Sequence, residues 1–135
     1  RRVLFRSVVF HPEFEPEFDA LDRAVQDDLL AHARALAARG PVMGRPYVDT
    51  LKGSVFPNMK ELRFGAENGV WRLAFVFDPQ RRAVLLVAGD KKGADQRRFY
   101  AGLIRTADQR YASHLAGLAK RPGSGKDRVS RKARP

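Results

Sequence analysis

The sequence contains no cysteine, so disulfide bonds and thiolate chemistry are excluded. Its three histidines, His11, His32 and His114, are isolated from one another and lack the spacing of metal ligands, so we expect no metal ion and no other cofactor. No apolar run approaches the roughly 18–20 residues that a membrane span needs, and we expect no membrane partner. Because proteins of the reducing cytosol are typically free of disulfides, we expect a cytoplasmic protein.

Positive charge is abundant and unevenly distributed. The 135 residues include 26 Lys and Arg against 15 Asp and Glu, which gives a formal net charge of +11. Residues 120–135 contain seven Lys or Arg and one Asp, whereas residues 11–28 contain seven acidic residues and only Arg23 as a base. An acidic segment beside a basic body indicates a polyanion-binding face on one side of the domain.

The two ends of the chain differ in composition from the middle. Residues 119–135 are charged, rich in Gly, Pro and Ser, and almost free of apolar residues, so we predict a disordered basic tail. Residues 1–7, RRVLFRS, are similar to the translated end of a sequencing adaptor, and we interpret them as a non-native leader. Residues 8–118 are therefore predicted to form one folded domain.

Hydrophobic periodicity over residues 8–118 predicts an α+β domain with the element order β-α-α-β-β-β-α. This order predicts a small twisted antiparallel sheet flanked by helices. Residues 40–58 contain several Pro and Gly and are expected to be an ordered loop. The predicted strands cover residues 8–10, 59–64, 70–78 and 83–89, two helices lie between residues 12 and 40, and the last helix covers residues 95–118.

Alternation along two predicted neighbouring strands brings charged residues to one face of the sheet. In the first of these strands, Leu62 and Phe64 share one face while Glu61 and Arg63 share the opposite face. In the second strand, Arg72 interrupts a face that is otherwise apolar. We therefore expect Arg63 and Arg72 to project together, with Glu61 as the carboxylate that reduces their mutual repulsion.

Five short segments follow one another along the chain: LKGS at 51–54, KELRF at 60–64, WRL at 71–73, DKK at 90–92 and RRFY at 97–100. As an ordered set they resemble the RelE/ParE superfamily of toxins from bacterial toxin–antitoxin modules, and most closely its HigB-like, phage-derived branch. The resemblance implies a RelE-like fold and a cognate antitoxin, typically a small helix-turn-helix protein. It also implies a ribosome-dependent mRNA endoribonuclease in which the ribose 2′-hydroxyl attacks the adjacent phosphodiester without a metal ion.

The same resemblance implies roles for particular residues. Arg72 matches an arginine placed at the scissile phosphate, and Lys91 or Lys92 corresponds to a second active-site cation. Tyr100 matches a tyrosine that stacks on or orients the substrate base, and Arg63 is the other cation of the sheet. The catalytic candidates are Arg72, Arg63, Lys91 and Tyr100. The residues predicted to bind RNA are Lys52, Lys60, Lys92, Arg97 and Arg98.

The general base is left open by the sequence. Members of this superfamily often carry alternating lysines on the first strand of the meander, whereas this chain has Lys60 followed by the acidic Glu61. Lys52, Lys60 and Glu61 are therefore all candidates, and alternation places Lys60 on the core side of its strand.

Other interpretations fit the same residues. ParE-like members of the superfamily poison DNA gyrase, and a third possibility is a basic nucleic-acid-binding module without catalytic activity. Glu61 and Arg63 could form an ordinary surface ion pair, and Tyr100 could belong to the apolar stripe of its helix. The cations at positions 72, 91 and 92 favour the nuclease over the gyrase poison.

Overall fold

The protein, described by a computed structural model over residues 3–5, 7–65 and 70–120, contains one sheet and three α-helices. The strands are β1 (Val3–Phe5), β2 (Val8–Phe10), β3 (Val48–Thr50), β4 (Lys60–Phe64), β5 (Trp71–Phe77) and β6 (Ala83–Asp90). The helices are α1 (Phe14–Asp19), α2 (Arg23–Arg39) and α3 (Gln96–Lys120), and a 3-10 turn at Gly40–Val42 follows α2.

The six strands form a single sheet in the order β1-β2-β6-β5-β4-β3. Neighbouring strands are antiparallel, except that β2 and β6 run parallel. No hairpin connects β2 to β6, so no tight turn requires this pair to be antiparallel. The predicted α+β class, with a small sheet flanked by helices, is confirmed, and the parallel pair makes the sheet mixed.

Besides the parallel pair in a sheet that was predicted to be antiparallel, three segments require comment. The predicted loop over residues 40–58 contains a 3-10 turn and the short strand β3. The sequence did not predict β3 because the nearby Gly44 and Pro46 are typical of loops. The segment predicted as a leader contributes β1, which pairs with β2. Helix α3 continues to Lys120, and residues 121–135, predicted to be a disordered tail, lie outside the described residues.

The two faces of the sheet support two separate apolar cores. One face packs against α1 and α2, and the other face packs against α3. A bulge between Ala74 and Phe75 of β5 shifts the register against β6, so that Ala74 opposes Val87 and Phe75 opposes Leu85. The α1/α2 core includes Phe10, Leu29, Leu62, Leu73, Phe75 and Leu85, and the α3 core includes Ala74, Val76, Val84, Leu86, Leu103 and Ala107.

Polar contacts also fix α3 to the rest of the fold. The buried Arg110 guanidinium donates through Nη1 to the Leu86 carbonyl oxygen at 2.8 Å and to Glu17 Oε1 at 2.9 Å, which joins α3 to both β6 and α1. One turn further along, His114 Nε2 lies 2.8 Å from Asp78 Oδ2, and both side chains are fully buried. These contacts hold α3 in a defined position along the sheet.

Candidate active site

The pairing of β4 with β5 brings three charged residues onto the α3 face of the sheet. Arg63 lies directly opposite Arg72, and Glu61 lies opposite Ala74, which belongs to the α3 core. Cross-strand neighbours on one face have Cβ atoms about 4.5–5.5 Å apart, so their side chains interact. The expectation that Arg63, Arg72 and Glu61 project together is confirmed.

Glu61 is the centre of this cluster and is only 5% exposed. Its Oε2 accepts a hydrogen bond from Arg63 Nη2 at 3.0 Å, and its Oε1 accepts one from the Tyr100 hydroxyl at 2.8 Å. Arg72 Nε lies 3.6 Å from the same Oε1 and donates to the Tyr100 hydroxyl oxygen at 3.0 Å. The four side chains therefore form a continuous hydrogen-bonded network between β4, β5 and the N-terminal part of α3.

Burial and charge set the protonation of two members of this network. Burial raises the pKa of the Tyr100 phenol, and the adjacent Glu61 carboxylate raises it further, against the opposing effect of Arg72. The hydrogen bond to Glu61 raises the pKa of Arg63 above its already high value. Tyr100 is consequently a protonated hydrogen-bond donor at neutral pH, and Arg63 remains a cation.

A cavity of about 310 Å³ opens beside this network. The short strand β3 forms its outer wall, and the Asp49 carboxylate of that strand lies 3.4 Å from Arg63 Nη2. The Thr50 backbone N–H donates to Asp49 and, together with Arg45 and Arg63, lowers the pKa of this carboxyl. The residues that line the cavity are Asp49, Thr50, Leu51, Lys52, Glu61, Arg63, Gln96 and Tyr100.

The catalytic candidates occupy different positions around the cavity. Arg63 and Tyr100 line it directly, whereas Arg72 is 9% exposed and lies behind the wall, bonded to Tyr100 and to the Trp71 carbonyl oxygen. Lys91 Nζ lies 6.0 Å from the centre of the Tyr100 ring, within the range of a cation–π contact. All four residues are therefore close to one another.

The residues predicted to bind RNA divide into three groups. Lys52 lines the cavity. Lys92, Arg97 and Arg98 are exposed near the start of α3, where Asp95 Oδ1 accepts a hydrogen bond from the Arg98 backbone N–H. Lys60 alternates with Glu61 along β4 and lies on the opposite face of the sheet, so the structure does not bring it into the cavity.

Sequence reasoning missed three polar residues of the cavity, Asp49, Thr50 and Gln96. Asp49 lies in the segment interpreted as a loop, and the strand alternation that would have placed it beside Glu61 was not recognised there. Gln96 opens α3 and has no motif that distinguishes it from other helix starts. Within the described residues, no group of three or more His, Asp or Glu could hold a metal ion, and none of the helices is long and apolar enough to cross a membrane.

Comparisons with known proteins identify the class to which this fold and site belong. The family model described as "Phage derived protein Gp49-like" matches residues 16–112. The Mycobacterium tuberculosis protein named "Putative toxin HigB3" is 41% identical over 110 residues, which cover 82% of this chain and 94% of that protein. A second protein of the same organism, named "Putative toxin HigB2", is 41% identical over 99 residues, covering 73% of this chain and about half (49%) of that protein. No solved structure gives a significant match.

The fold, the match to the family model and the two relatives define a toxin of a toxin–antitoxin module. The chain belongs to the phage-derived Gp49-like family and is a HigB-like toxin, as the ordered sequence motifs had indicated. A toxin of this kind has an antitoxin partner.

Proposed function

We propose that this toxin is a ribosome-dependent mRNA endoribonuclease whose active site is the cavity beside Glu61. The observation that carries the proposal is the arrangement of Glu61 itself, a buried carboxylate at the wall of an open cavity, hydrogen-bonded to both a phenol and a guanidinium. A carboxylate that is held between donors, in a cavity also lined by Arg63 and Lys52, is suited to accept a proton from a ribose hydroxyl beside a bound phosphate.

The reaction would begin with Glu61 as the general base. Each of its oxygens accepts one hydrogen bond, from Arg63 or from Tyr100, and retains acceptor capacity for a further donor. The ribose 2′-hydroxyl would give its proton to Glu61 while its oxygen attacks the adjacent phosphorus. Of the three candidates for the base, Lys60 lies on the other face of the sheet, and Lys52 carries a charge better suited to the phosphate.

Cations near the cavity would stabilise the phosphorane that forms. Arg63 lines the cavity and its side chain is 39% exposed, so its guanidinium would lie beside a phosphate bound there. Lys52 would protonate the leaving 5′-oxygen, which breaks the P–O5′ bond and leaves a 2′,3′-cyclic phosphate and a 5′-hydroxyl. Preorganised charges of this kind supply a large part of the rate enhancement in phosphoryl chemistry.

Arg72 would act mainly by positioning. Its Nε holds the Tyr100 hydroxyl, and the same nitrogen lies near Glu61, so it orients both groups without lining the cavity. Tyr100 also presents its ring near Lys91, which would allow the ring to contact a base of the message while the lysine contacts its backbone.

The partners follow from the charge around the site. Lys92, Arg97 and Arg98 are exposed next to the cavity end of α3, and they extend the basic surface over which a message or ribosomal RNA would lie. The proposed antitoxin is a helix-turn-helix protein with an acidic or apolar segment that covers this surface. Such a toxin would act in the cytoplasm, where ribosomes and messages are found.

The experiment is cleavage of a defined message on purified ribosomes, followed by mapping of the new 5′ ends and a test for 5′-hydroxyl groups. We expect cleavage by the wild-type protein and much weaker cleavage of the same RNA without ribosomes. Glu61→Gln should lower the cleavage rate by roughly 10²- to 10⁴-fold, because it removes the base without changing the shape of the side chain. Asp27→Asn is the matched control, because its exposed carboxylate lies on α2, on the other side of the sheet.

Cleavage by Glu61→Gln at the wild-type rate would exclude Glu61 as the base. If the wild-type protein leaves every message intact but stabilises cleaved complexes of purified gyrase with DNA, the gyrase-poison alternative replaces the nuclease. If neither activity is present, the non-catalytic binding module is the better description.

A further inference from the structure

One face of α3 contacts the cavity and the adjoining loop at three positions spaced four residues apart. Tyr100 bonds to Glu61 in the cavity. Ile104 lies under Gly53, whose φ of +101° favours glycine and where an added Cβ would lie 3.2 Å from Ile104 Cδ1. Asp108 bonds to the next residues of the same loop. Residues at this spacing lie on one side of a helix, so a single rigid surface supports both the cavity and the loop.

Asp108 holds the loop with both of its carboxylate oxygens. Ser54 Oγ donates to Asp108 Oδ1 at 2.5 Å, and the Val55 backbone N–H donates to Asp108 Oδ2 at 3.1 Å. Ser54 Oγ in turn accepts a hydrogen bond from the Phe56 backbone N–H at 2.9 Å. The Asp108 carboxylate therefore attaches the loop to α3 through two hydrogen bonds, while the Val55 side chain is exposed.

Lys52 lies between two fixed points of this loop. On one side, Leu51 is 3% exposed and its backbone N–H donates to the Met59 carbonyl oxygen at 2.9 Å. On the other side, Gly53 lies against Ile104 and Ser54 is bonded to Asp108. The backbone of Lys52 is therefore held on both sides, although its side chain is exposed at the cavity wall.

We infer that Asp108 is a positioning residue, which acts through Ser54 and Gly53 to hold the Lys52 ammonium at the cavity. The inference rests on the proposed function, because it assigns Lys52 to the reaction at that cavity. It also gives a reason for the sequence LKGS. The lysine takes part in the reaction, the glycine provides the required φ and the close approach to α3, and the serine donates the hydrogen bond to Asp108.

The stability of the domain does not by itself require the hydrogen bonds from Ser54 and Val55 to Asp108. Phe56 packs edge-on against Tyr111 at 4.8 Å between ring centres, and the buried Leu51 and Met59 anchor the two ends of the loop in the α3 core. Loss of the Asp108 contacts should therefore release the segment that carries Lys52 while these apolar contacts persist.

The test is a double-mutant cycle on the rate of single-turnover cleavage, with wild type, Asp108→Ala, Lys52→Ala and the double variant. If Asp108 acts through Lys52, Asp108→Ala should slow wild-type cleavage by roughly 10- to 100-fold, since a displacement of about 1 Å at a reacting group has an effect of this order. The same substitution should have almost no effect once Lys52 is already Ala. A purely structural role would give an equal effect in both backgrounds.

Two variants keep the test independent of folding. Ser54→Ala removes one hydrogen bond to Asp108 and should reproduce part of the loss, while Ser54→Thr retains the hydroxyl and should restore most of the rate. Gln109→Ala is the control, because this exposed residue directly follows Asp108 on α3 and donates no described hydrogen bond to the loop. Hydrogen exchange of the Val55 and Phe56 amides should accelerate in Asp108→Ala but not in Gln109→Ala.

The same cycle is run on the affinity for a 2′-O-methyl RNA oligonucleotide, which cannot be cleaved, so that the two proposals fail separately. If the wild-type protein binds this probe but does not cleave RNA, and the binding cycle is non-additive, the nuclease proposal fails and the role of Asp108 stands. If the protein cleaves and the effects are additive, or if Lys52→Ala is silent, the role of Asp108 is refuted and the nuclease stands. A protein that neither binds nor cleaves overturns both.

Discussion

Arg72→Ala is the substitution that separates a functional network from an ordinary buried ion cluster. Arg72 donates to the Tyr100 hydroxyl and the Trp71 carbonyl oxygen, both at 3.0 Å, and its Nε lies 3.6 Å from Glu61 Oε1. The substitution removes all three contacts. It leaves the hydrogen bond from Arg63 to Glu61 in place, so the carboxylate is not left without a partner.

This remaining pairing limits the loss of stability. Removing a hydrogen-bonding partner of a charged group destabilises a protein by about 1.5–3 kcal/mol, and the surviving contact with Arg63 favours a value of about 2 kcal/mol. For a chain of this length, that corresponds to a decrease in Tm of roughly 6–10 °C. Because natural domains are stable by about 5–15 kcal/mol, the variant should still fold and still bind its antitoxin.

The expected loss of activity is larger than the loss of stability. Without Arg72, the Tyr100 hydroxyl loses one of its two partners and can rotate away from Glu61, so the base is no longer held in one orientation. We expect a loss of roughly 10²-fold in the cleavage rate, the effect of misplacing a reacting group by about 1 Å. Arg72→Lys should recover only part of this rate, because an ammonium cannot reproduce the planar guanidinium donors.

The assay is primer extension on ribosome-bound message, with equal amounts of variant whose folding is verified by circular dichroism. Arg81→Ala is the control, because Arg81 is an exposed arginine at the turn between β5 and β6. This variant should cleave the message at the wild-type rate. Wild-type cleavage by Arg72→Ala would refute the reasoning, since it would show that the order of the Glu61–Tyr100 pair is irrelevant to the reaction. A loss of more than about 5 kcal/mol would instead identify the network as part of the folding core.

Two further predictions concern ionisation. Burial raises the pKa of Asp78, but the hydrogen bond from His114 and the contacts with Arg82 have a larger opposite effect, so the net pKa is lowered. The ionised carboxylate therefore stabilises the fold above about pH 4, and this contribution is lost as the pH falls through the lowered pKa. Asp78→Asn should therefore be less stable at pH 7 and show a weaker loss of stability in acid, measured by urea unfolding from pH 2 to 7, and an unchanged acid profile would contradict this. Burial raises the pKa of both Tyr100 and Tyr111 above 10, so absorbance at 295 nm should show tyrosines that ionise late, and Tyr100→Phe should remove one of them; an unaltered high-pH component would contradict the burial of Tyr100.

The sequence was sufficient to predict the fold class and the centre of the candidate site. Strand alternation alone placed Glu61, Arg63 and Arg72 on one face of the sheet, because successive side chains of a strand point to opposite faces. The apolar residues Leu62 and Phe64 mark the opposite face of β4. The ordered motifs added Tyr100, Lys91 and Lys52, which the fold brings together from three separate elements.

The remaining features depend on contacts that leave no local pattern. Asp108 and Ser54 are 54 residues apart in the chain, and Asp78 and His114 are 36 apart, so neither pair forms a motif that a single sequence reveals. Strand alternation also could not predict that Arg72 lies behind the cavity wall. Alternation assigns a side chain to one face of the sheet, but it does not predict how a helix covers that face. Strand β3 was missed because a three-residue strand is too short to show a period among Gly and Pro.

Helix α3 makes polar contacts near both ends of β5. Arg72 and Asp78 are six residues apart near the two ends of β5, a distance of roughly 20 Å at the rise of an extended strand. Their partners on α3, Tyr100 and His114, are fourteen residues apart, which corresponds to roughly 21 Å at the rise of a helix. Because these lengths match, α3 can satisfy both contacts at once, and a shift of the helix by one residue would break both. We therefore expect substitutions at the buried Asp78–His114 pair to displace Tyr100 from Glu61, so that a group with no part in the chemistry still controls the order of the site.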